Sequence, residues 1–320
     1  MKEIGGYFEL EHFNNNEYYN SLISLNTGRN ALLYILKAKK IKKLYVPFFL
    51  CDVIKDILLR NNYDFEYYSV NQDFMPLFNK NIANNEFLYV VNYYGQISNK
   101  KVFDLKERFT NIILDNTHAF FQKPMPNIDT IYSCRKFFGV PDGAYLSTDT
   151  KLKDKFELDI SSGRMTHLIG RHEKSATIYY DDFKRADESF KFEDIKYMSK
   201  ITHNILGAID YENVRKIRNV NYSYLCNKLS IYNILNLENL DGAFAYPFYI
   251  ENGIEIRKVL AKNKIFIPTL WPNVIEEMHN YTIEYKYAAN ILPLPCDQRY
   301  TVNDMELIYK EIKNVQVKRT

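Results

Sequence analysis

Apolar residues in the first half of the chain form two kinds of pattern. Some recur at helical spacing and others form short continuous runs, and the alternation of the two predicts short strands separated by helices. After Thr27, the apolar residues Ala31, Leu32, Ile35 and Leu36 recur at helical spacing in TGRNALLYILKAKK, with Thr27 as a suitable N-cap. Short apolar runs predict strands, and these are KLYVPFF (43–49), YDFEYYSV (63–70), EFLYVVNYYG (86–95), NIILDNTHAF (111–120), DTIYSC (129–134) and GAYLST (143–148).

Two further helical patterns, CDVIKDILLRNN (51–62) and KKVFDLKERF (100–109), lie between these runs. Strands joined through helices of this length imply crossover connections and a mostly parallel sheet. In such sheets, ligands bind at the carboxyl ends of the strands. We therefore expect an α/β fold in which the functional residues follow the strands.

The pattern changes after about residue 151. Residues 171–236 are mostly helical in pattern, whereas AFAYPFYI (243–250), EIRKVLAKNK (255–264) and KIFIPTLW (264–271) predict a strand–helix–strand unit. An amphipathic helix is predicted over TVNDMELIYKEIKNV, with Thr301 or Asn303 as its cap. We expect an N-terminal arm (1–24), a large α/β domain (25–205) and a small α+β domain (206–320).

Composition narrows the function classes. The chain has 320 residues, 46% of them hydrophobic, and a formal net charge of +3, which is typical of a globular protein and argues against a nucleic-acid partner. Four scattered cysteines without CxxC spacing and six histidines without HExxH spacing give no metal motif. The chain shows neither an apolar membrane-length stretch nor a signal-peptide pattern at its start, so we expect a cytoplasmic protein without a membrane partner.

Three features are expected at one edge of the sheet. Asp115 directly follows the apolar run NIIL, Lys136 follows DTIYSC, and a Thr-Gly turn opens the first helix. Each has an ordinary structural explanation, because Asp often starts a turn, an Arg-Lys pair often lies on a wet surface and many helices begin with Thr-Gly. Together they form a carboxylate, an amine and an anion site at a helix N-terminus.

Pyridoxal phosphate needs such a set of groups. Its phosphate binds backbone amides and hydroxyls, its ring nitrogen binds an Asp, and its aldehyde binds a lysine. Asp115 and Lys136 are the candidate catalytic residues on this interpretation. Partial burial near cations such as Arg135 favours the neutral amine that a nucleophilic lysine requires.

The order of these features resembles that in the DegT–DnrJ–StrS family of sugar aminotransferases, which use pyridoxal phosphate and have the aspartate-aminotransferase fold (fold type I). LNTGRNAL is similar to the family's phosphate-binding helix start, and this implies Thr27, Gly28 and Arg29 at the phosphate. ILDNTHAF is similar to its acidic segment, so the resemblance places Asp115 at the ring nitrogen and His118 near the ring hydroxyl.

The resemblance also identifies the lysine. In the family, the lysine that forms a Schiff base with the cofactor stands seven residues before a glycine, as Lys136 does before Gly143 in KFFGVPDG. LPLPCDQRYTVNDMELI resembles the family's closing signature. An aromatic residue that stacks on the cofactor is expected in VPFFLC, where Phe49 is favoured over Cys51.

Two positions depart from the family pattern. Ile131 occupies the place of a phosphate-binding serine, and Ser133 is the nearest hydroxyl that can replace it. The family's Asn-Tyr-Arg-Met loop, which reaches a neighbour's phosphate, is IKYMS (195–199) here and lacks the asparagine. The resemblance implies a homodimer, but this change leaves the contact between subunits open.

The resemblance implies transfer of an amino group, with glutamate as the donor, to a keto-sugar carried by a nucleotide. Two alternatives remain. One is another reaction on the same cofactor, such as a dehydration, and the other is a non-catalytic binding protein. Arg164, Arg171 and His172 lie in a Gly-flanked basic segment that either meets a diphosphate or a donor carboxylate, or is an exposed loop.

Overall fold

The large part of the molecule is built on one twisted sheet. The computed structural model describes residues 4–13 and 16–317, and within them eight strands form this sheet in the order β1-β8-β7-β6-β5-β2-β3-β4. The strands are β1 (Ile23–Leu25), β2 (Lys43–Pro47), β3 (Asp64–Val70), β4 (Pro76–Leu77), β5 (Glu86–Val91), β6 (Ile112–Asp115), β7 (Asp129–Ser133) and β8 (Ala144–Ser147).

Strand direction decides where functional side chains meet. Strands β7, β6, β5, β2 and β3 are parallel. Strand β8 is antiparallel to both of its neighbours, β7 and β1, so β1 points the same way as the parallel set. The carboxyl ends of β1, β2, β5, β6 and β7 therefore lie at one edge of the sheet.

Helices connect these strands as the apolar spacing predicts. The first helix is confirmed, since Thr27 caps it by accepting a 3.2 Å hydrogen bond from the backbone N–H of Asn30, and Ala31, Leu32 and Ile35 are fully buried. The helices of this part are α1 (Gly28–Ala38), α2 (Asp52–Arg60), α3 (Asn99–Arg108), α4 (Thr166–Glu173), α5 (Tyr180–Glu188) and α6 (Lys200–Gly207).

The remaining elements form a second, smaller core. Strands β9 (Tyr246–Tyr249) and β10 (Ile291–Leu294) pair antiparallel, and a cluster that includes Leu225, Phe248, Leu260, Leu292 and Ile312 is buried between them and the helices. The helices of this part are α7 (Tyr211–Leu229), α8 (Gly253–Lys262), α9 (Pro272–Glu277), α10 (Ile283–Asn290) and α11 (Val302–Val317).

One predicted strand is wrong. Residues 264–271 have no strand, although Ile265 and Ile267 are buried as the alternation indicates. Lys264 takes a positive φ of 61°, which is outside the extended region, and Pro268 has no N–H to donate. The partner of β9 is instead β10, in the Leu-Pro-Leu-Pro segment, where Pro293 stands opposite Pro247.

The predicted division into an arm (1–24) and domains at 25–205 and 206–320 stays a prediction. Of these ranges, residues 1–3, 14, 15 and 318–320 lie outside the described residues. Strand β1 begins at Ile23, so the end of the predicted arm is part of the sheet. Among the described residues, none of the helices is both long enough and apolar enough to cross a membrane.

Candidate active site

The sheet brings Asp115 and Lys136 to the same edge. Asp115 is the last residue of β6, and its register partner on β7 is Ile131. Strand β7 ends two residues later at Ser133 and leads into a 3-10 turn, Cys134–Lys136. Asp115 and Lys136 thus follow neighbouring parallel strands at the same edge, and the charge of each opposes the shift that burial causes in the pKa of the other.

A glycine fixes the loop that carries Lys136. Gly143 has a φ of 114°, which L residues rarely adopt, and a Cβ added there would lie 2.9 Å from Thr202 and 3.3 Å from Cys134. Its N–H donates to Asn26 O and its carbonyl accepts from Cys134 N. Glycine is therefore required at the end of the KFFGVPDG motif.

Asp115 is buried and firmly held. Its Oδ2 accepts a 2.6 Å hydrogen bond from the Tyr89 hydroxyl, and its Oδ1 accepts a 2.8 Å bond from the backbone N–H of Thr117. Burial raises the pKa of the Asp115 carboxyl, whereas these hydrogen bonds and the charge of Lys136 act in the opposite direction. The two hydrogen bonds therefore hold the Asp115 carboxylate in a fixed orientation, in which it can bind a cation.

Lys136 is exposed at this edge of the sheet. The surrounding protein nevertheless desolvates its ammonium group, and this lowers the pKa of Lys136. The charge of Arg135 lowers that pKa further, while Cys51, Asp187 and Asp115 oppose the shift. The amine therefore loses its proton at a lower pH than a free lysine does.

The start of α1 lies at the same edge. An added Cβ on Gly28 would contact Ile131 Cγ2 at 3.7 Å and Thr117 Oγ1 at 4.0 Å, so residues that follow β1 and β6 meet a residue of β7 here. The Arg29 guanidinium donates a 3.4 Å hydrogen bond to Phe190 O. Together with the free amides of the helix start, these groups suit an anion.

His118 is enclosed by aromatic rings. It stacks on Phe244 with centroids 4.1 Å apart and planes 3° apart, and the rings of Tyr94 and Trp271 lie 5.7 Å from it. Burial and the charge of Lys136 hold the pKa of His118 well below its ordinary value, so its imidazole is neutral. Tyr94 and Trp271 have positive φ values of 54° and 57°, an unusual conformation for bulky residues that often marks functional sites.

Phe49 and Cys51 occupy different environments. Phe49 is fully buried, stacked on Tyr93 at 4.9 Å and edge-on to Trp271 at 4.4 Å. Cys51 is only partly buried, and the charge of Lys136 acts on the pKa of its thiol, which burial raises. Cys51 is thus more accessible than Phe49, while the stacking role of Phe49 stays a prediction.

Sequence reasoning missed two residues that hold the site together, Tyr89 and Thr117. Both hydrogen-bond Asp115, and Thr117 also approaches Gly28. Thr117 lies two residues after Asp115, whereas Tyr89 lies on β5, which is adjacent to β6 in the sheet. Only the pairing of these strands identifies Tyr89.

The remaining predicted residues lie around this centre. Ser133 is half-buried at the end of β7, three residues before Lys136. Arg164 is buried in a two-point ion pair with Asp159, at 2.8 and 3.1 Å, whereas Arg171 and His172 are exposed. Arg164 is therefore a structural residue in this arrangement.

Two cavities adjoin these residues. Cys51 lines one of about 120 Å³ together with Lys55, Asn273 and Glu277. His118 lines another of about 280 Å³. The second contains polar amide side chains from Asn99, Gln122 and Asn239.

The fold is that of solved sugar aminotransferases. A DegT DnrJ EryC1 StrS aminotransferase from Brucella abortus matches with a TM-score of 0.61 and 15% identity over 92% of this chain and 85% of that one. NtdA from Bacillus subtilis, solved with bound cofactor PMP, matches with a TM-score of 0.64 and 13% identity over 92% of this chain and 73% of that one.

A third structure, DesI in the presence of its TDP-sugar product, has a TM-score of 0.62 and 11% identity over 91% of this chain and 79% of that one. No protein-family model matches the sequence, and no curated protein matches it significantly. The predicted aspartate-aminotransferase-like α/β fold is confirmed by the structural likeness.

Proposed function

We propose that the protein is a pyridoxal-phosphate-dependent aminotransferase. The observation that carries the proposal is the convergence of a buried, hydrogen-bonded Asp115 and an amine of lowered pKa, Lys136, at the carboxyl edge of the sheet. The fold shared with solved sugar aminotransferases supports it.

The residues present fit this cofactor. Asp115 offers a carboxylate to the ring nitrogen, Lys136 an amine to the aldehyde, and the start of α1 with Arg29 an anion site for the phosphate. Gly28 lies beside Thr117 and Ile131, since a Cβ added there would be in ordinary van der Waals contact with both side chains. His118 and Ser133 lie at the same edge.

When bound, pyridoxal phosphate supplies an electron sink for cleavage of a bond to the substrate's amino-bearing carbon. Lys136 Nζ would accept and return the proton, and burial, which lowers the pKa of Lys136, favours the neutral amine that this role needs. The Asp115 carboxylate would keep the ring nitrogen protonated, and the hydrogen bonds from Tyr89 and Thr117 orient that carboxylate. Neutral His118 is available as a hydrogen-bond partner and adds no charge.

We infer that the acceptor is a keto-sugar linked to a nucleotide and that glutamate is the amino donor. The support is the structural likeness to DesI, solved with its TDP-sugar product. The cavity of about 280 Å³ beside His118 also presents amide groups, which can both donate to and accept from sugar hydroxyls.

We further propose that the protein is a cytoplasmic homodimer. All four cysteines, which lie in the described residues, are free thiols, and this suits a reducing compartment. Large apolar side chains are exposed near the N-terminus and in 158–192, including Tyr7 at 99%, Phe8 at 97%, Ile160 at 83% and Phe192 at 76%. Such exposure favours a partner surface, and sedimentation velocity tests it directly.

Reduction with borohydride tests the cofactor assignment. Purified protein is incubated with pyridoxal phosphate, reduced, digested and analysed by mass spectrometry. We expect one dominant adduct, on Lys136, because burial lowers the pKa of its amine and the strand before it is paired with the strand that ends in Asp115. An adduct spread evenly over surface lysines, or centred on another lysine, contradicts the proposal.

A second assay tests the reaction. Glutamate added to the loaded protein converts the cofactor to its amine form, and a nucleotide-linked keto-sugar then restores the aldehyde form if amination is the activity. Release of water or ammonia from the sugar without consumption of glutamate supports an elimination instead.

A further inference from the structure

The side of the site near α1 contains an acidic residue among cations. Asp187, on α5, forms a 3.0 Å ion pair with Arg135, the residue before Lys136. Burial lowers the pKa values of Arg29 and Lys136, and the negative charge of Asp187 opposes that shift in both. The carboxylate of Asp187 is therefore close to the cations that surround the start of α1.

The guanidinium group of Arg135 lies over an aromatic ring, and this contact holds the side chain in place. Its guanidinium lies 4.6 Å from the centroid of the Phe190 ring, and the guanidinium of Arg164 lies 4.3 Å from the same ring. Phe190 is fully buried, and Arg164 is fixed by its two-point pair with Asp159. The stack therefore keeps Arg135 in place independently of Asp187.

The N–H groups of the Arg135 guanidinium can exchange one hydrogen-bond partner for another. Within the described residues, its side chain makes one hydrogen bond, to Asp187, although a guanidinium has five N–H donors. The Asp187 side chain is 54% exposed, so breaking this pair moves a carboxylate into water at little cost. A dianionic phosphate offers the guanidinium a stronger, charge-assisted partner.

The segment after α5 keeps these groups beside α1. Asn30 donates to Asp194 O at 2.7 Å, Arg29 donates to Phe190 O, and Asn26 N donates to Lys196 O at 3.0 Å. Residues 190–196 of the same chain thus run along the start of α1. This contact requires neither a second subunit nor the asparagine that IKYMS lacks.

Building on the proposed function, we propose that Arg135 is a further phosphate-binding residue and that the Asp187 carboxylate is a built-in stand-in for that phosphate, displaced when a phosphate monoester binds. Arg135 keeps its stack on Phe190 and exchanges the Asp187 carboxylate for phosphate oxygens. No bond is made or broken covalently in this exchange.

The test compares pyridoxal phosphate with pyridoxal, which lacks the phosphate. The dissociation constants of both are measured by equilibrium dialysis at low salt, and the ratio of the two affinities isolates the phosphate, because effects on Lys136 alone cancel. We expect Asp187→Asn to increase this ratio about threefold to tenfold and Arg135→Gln to lower it about tenfold or more.

Controls separate this mechanism from a general change of charge. Asp181→Asn, on the same helix but paired with Lys184 at 2.8 Å, should leave the ratio unchanged. In the Arg135→Gln background, Asp187→Asn should lose most of its effect. Arg135→Lys, which keeps the charge, checks that any loss is not misfolding, and circular dichroism is recorded for every variant.

The outcomes are distinct. If Asp187→Asn leaves the ratio unchanged, lowers it, or raises it equally with and without Arg135, the displacement model is wrong. If wild-type protein binds neither pyridoxal nor pyridoxal phosphate at Lys136, the proposed function itself fails. If both bind at Lys136 and the ratio responds as expected, both proposals are supported.

Discussion

The acid end of the site (Asp115, Tyr89 and Thr117) and its anion end (Arg29, Arg135 and Asp187) are held in different ways. Asp115 is buried, and its partners come from the same strand end or from the adjacent strand β5. Arg135 is instead paired with a half-exposed carboxylate on α5, 52 residues along the chain. The sheet preorganises the acid end, whereas the anion end can exchange one partner for another.

Removing the Lys136 amine should have the largest effect on activity. Lys136→Ala is expected to reduce transamination at least about a thousandfold, because both the covalent anchor and the proton acceptor are lost. The side chain is exposed, so thermal unfolding should change little. Steady-state assays and a melting curve measure these effects, and near-normal turnover would show that another lysine does the chemistry.

Replacing the Asp115 carboxylate with a neutral amide tests the acid end of the site directly. Asp115→Asn is expected to retain the adduct on Lys136 and to slow the half-reaction with glutamate about a hundredfold to a thousandfold, because an amide cannot hold a positive ring nitrogen. Stopped-flow absorbance measures the half-reaction. Wild-type kinetics in this variant contradict the role given to Asp115.

A smaller loss is expected when only the orientation of the carboxylate is disturbed. Tyr89→Phe removes the 2.6 Å hydrogen bond to Asp115 Oδ2 and should slow the same half-reaction about tenfold, since a hydrogen bond to a charged group is lost. Tyr45→Phe is the matched control, because the Tyr45 hydroxyl bonds Glu86 at the opposite edge of the sheet. Equal effects in the two variants indicate a loss of sheet stability instead.

The smallest effect is expected at the anion end of the site, where Arg135 and Asp187 influence the pKa of Lys136. The charge of Arg135 lowers the pKa of Lys136, and that of Asp187 raises it. The pH at which Lys136 becomes reactive towards pyridoxal should therefore rise in Arg135→Gln and fall in Asp187→Asn. Rates of adduct formation between pH 6 and 10 measure the midpoint, and shifts in the same direction for both variants refute the electrostatic account.

The sequence predicted those parts of the site that depend on local chemistry. Thr27 is a cap because its hydroxyl suits a helix start, and Asp115 and Lys136 follow apolar strands whose ends meet in a parallel sheet. Gly143 could be recognised in the motif, although its spatial reason, the approach of Thr202 and Cys134, is visible only in three dimensions.

Contacts between distant segments could not be predicted in this way. Tyr89 and Asp187 reach the site through strand pairing and through the packing of α5, neither of which leaves a local pattern. Periodicity also failed at 264–271, where burial alternates but the backbone does not pair. At Phe49 and Cys51, both side chains suit the region, and only the three-dimensional structure distinguishes the buried ring from the partly exposed thiol.

Trp271 has a practical consequence. It is the single tryptophan of the chain, and it lies 5.7 Å from His118 and 4.4 Å from Phe49 in the wall of the site. All tryptophan emission from the protein therefore originates at this one position beside His118. Quenching of that fluorescence by a chromophore bound there would report occupancy in real time, with no label and no change to the sequence.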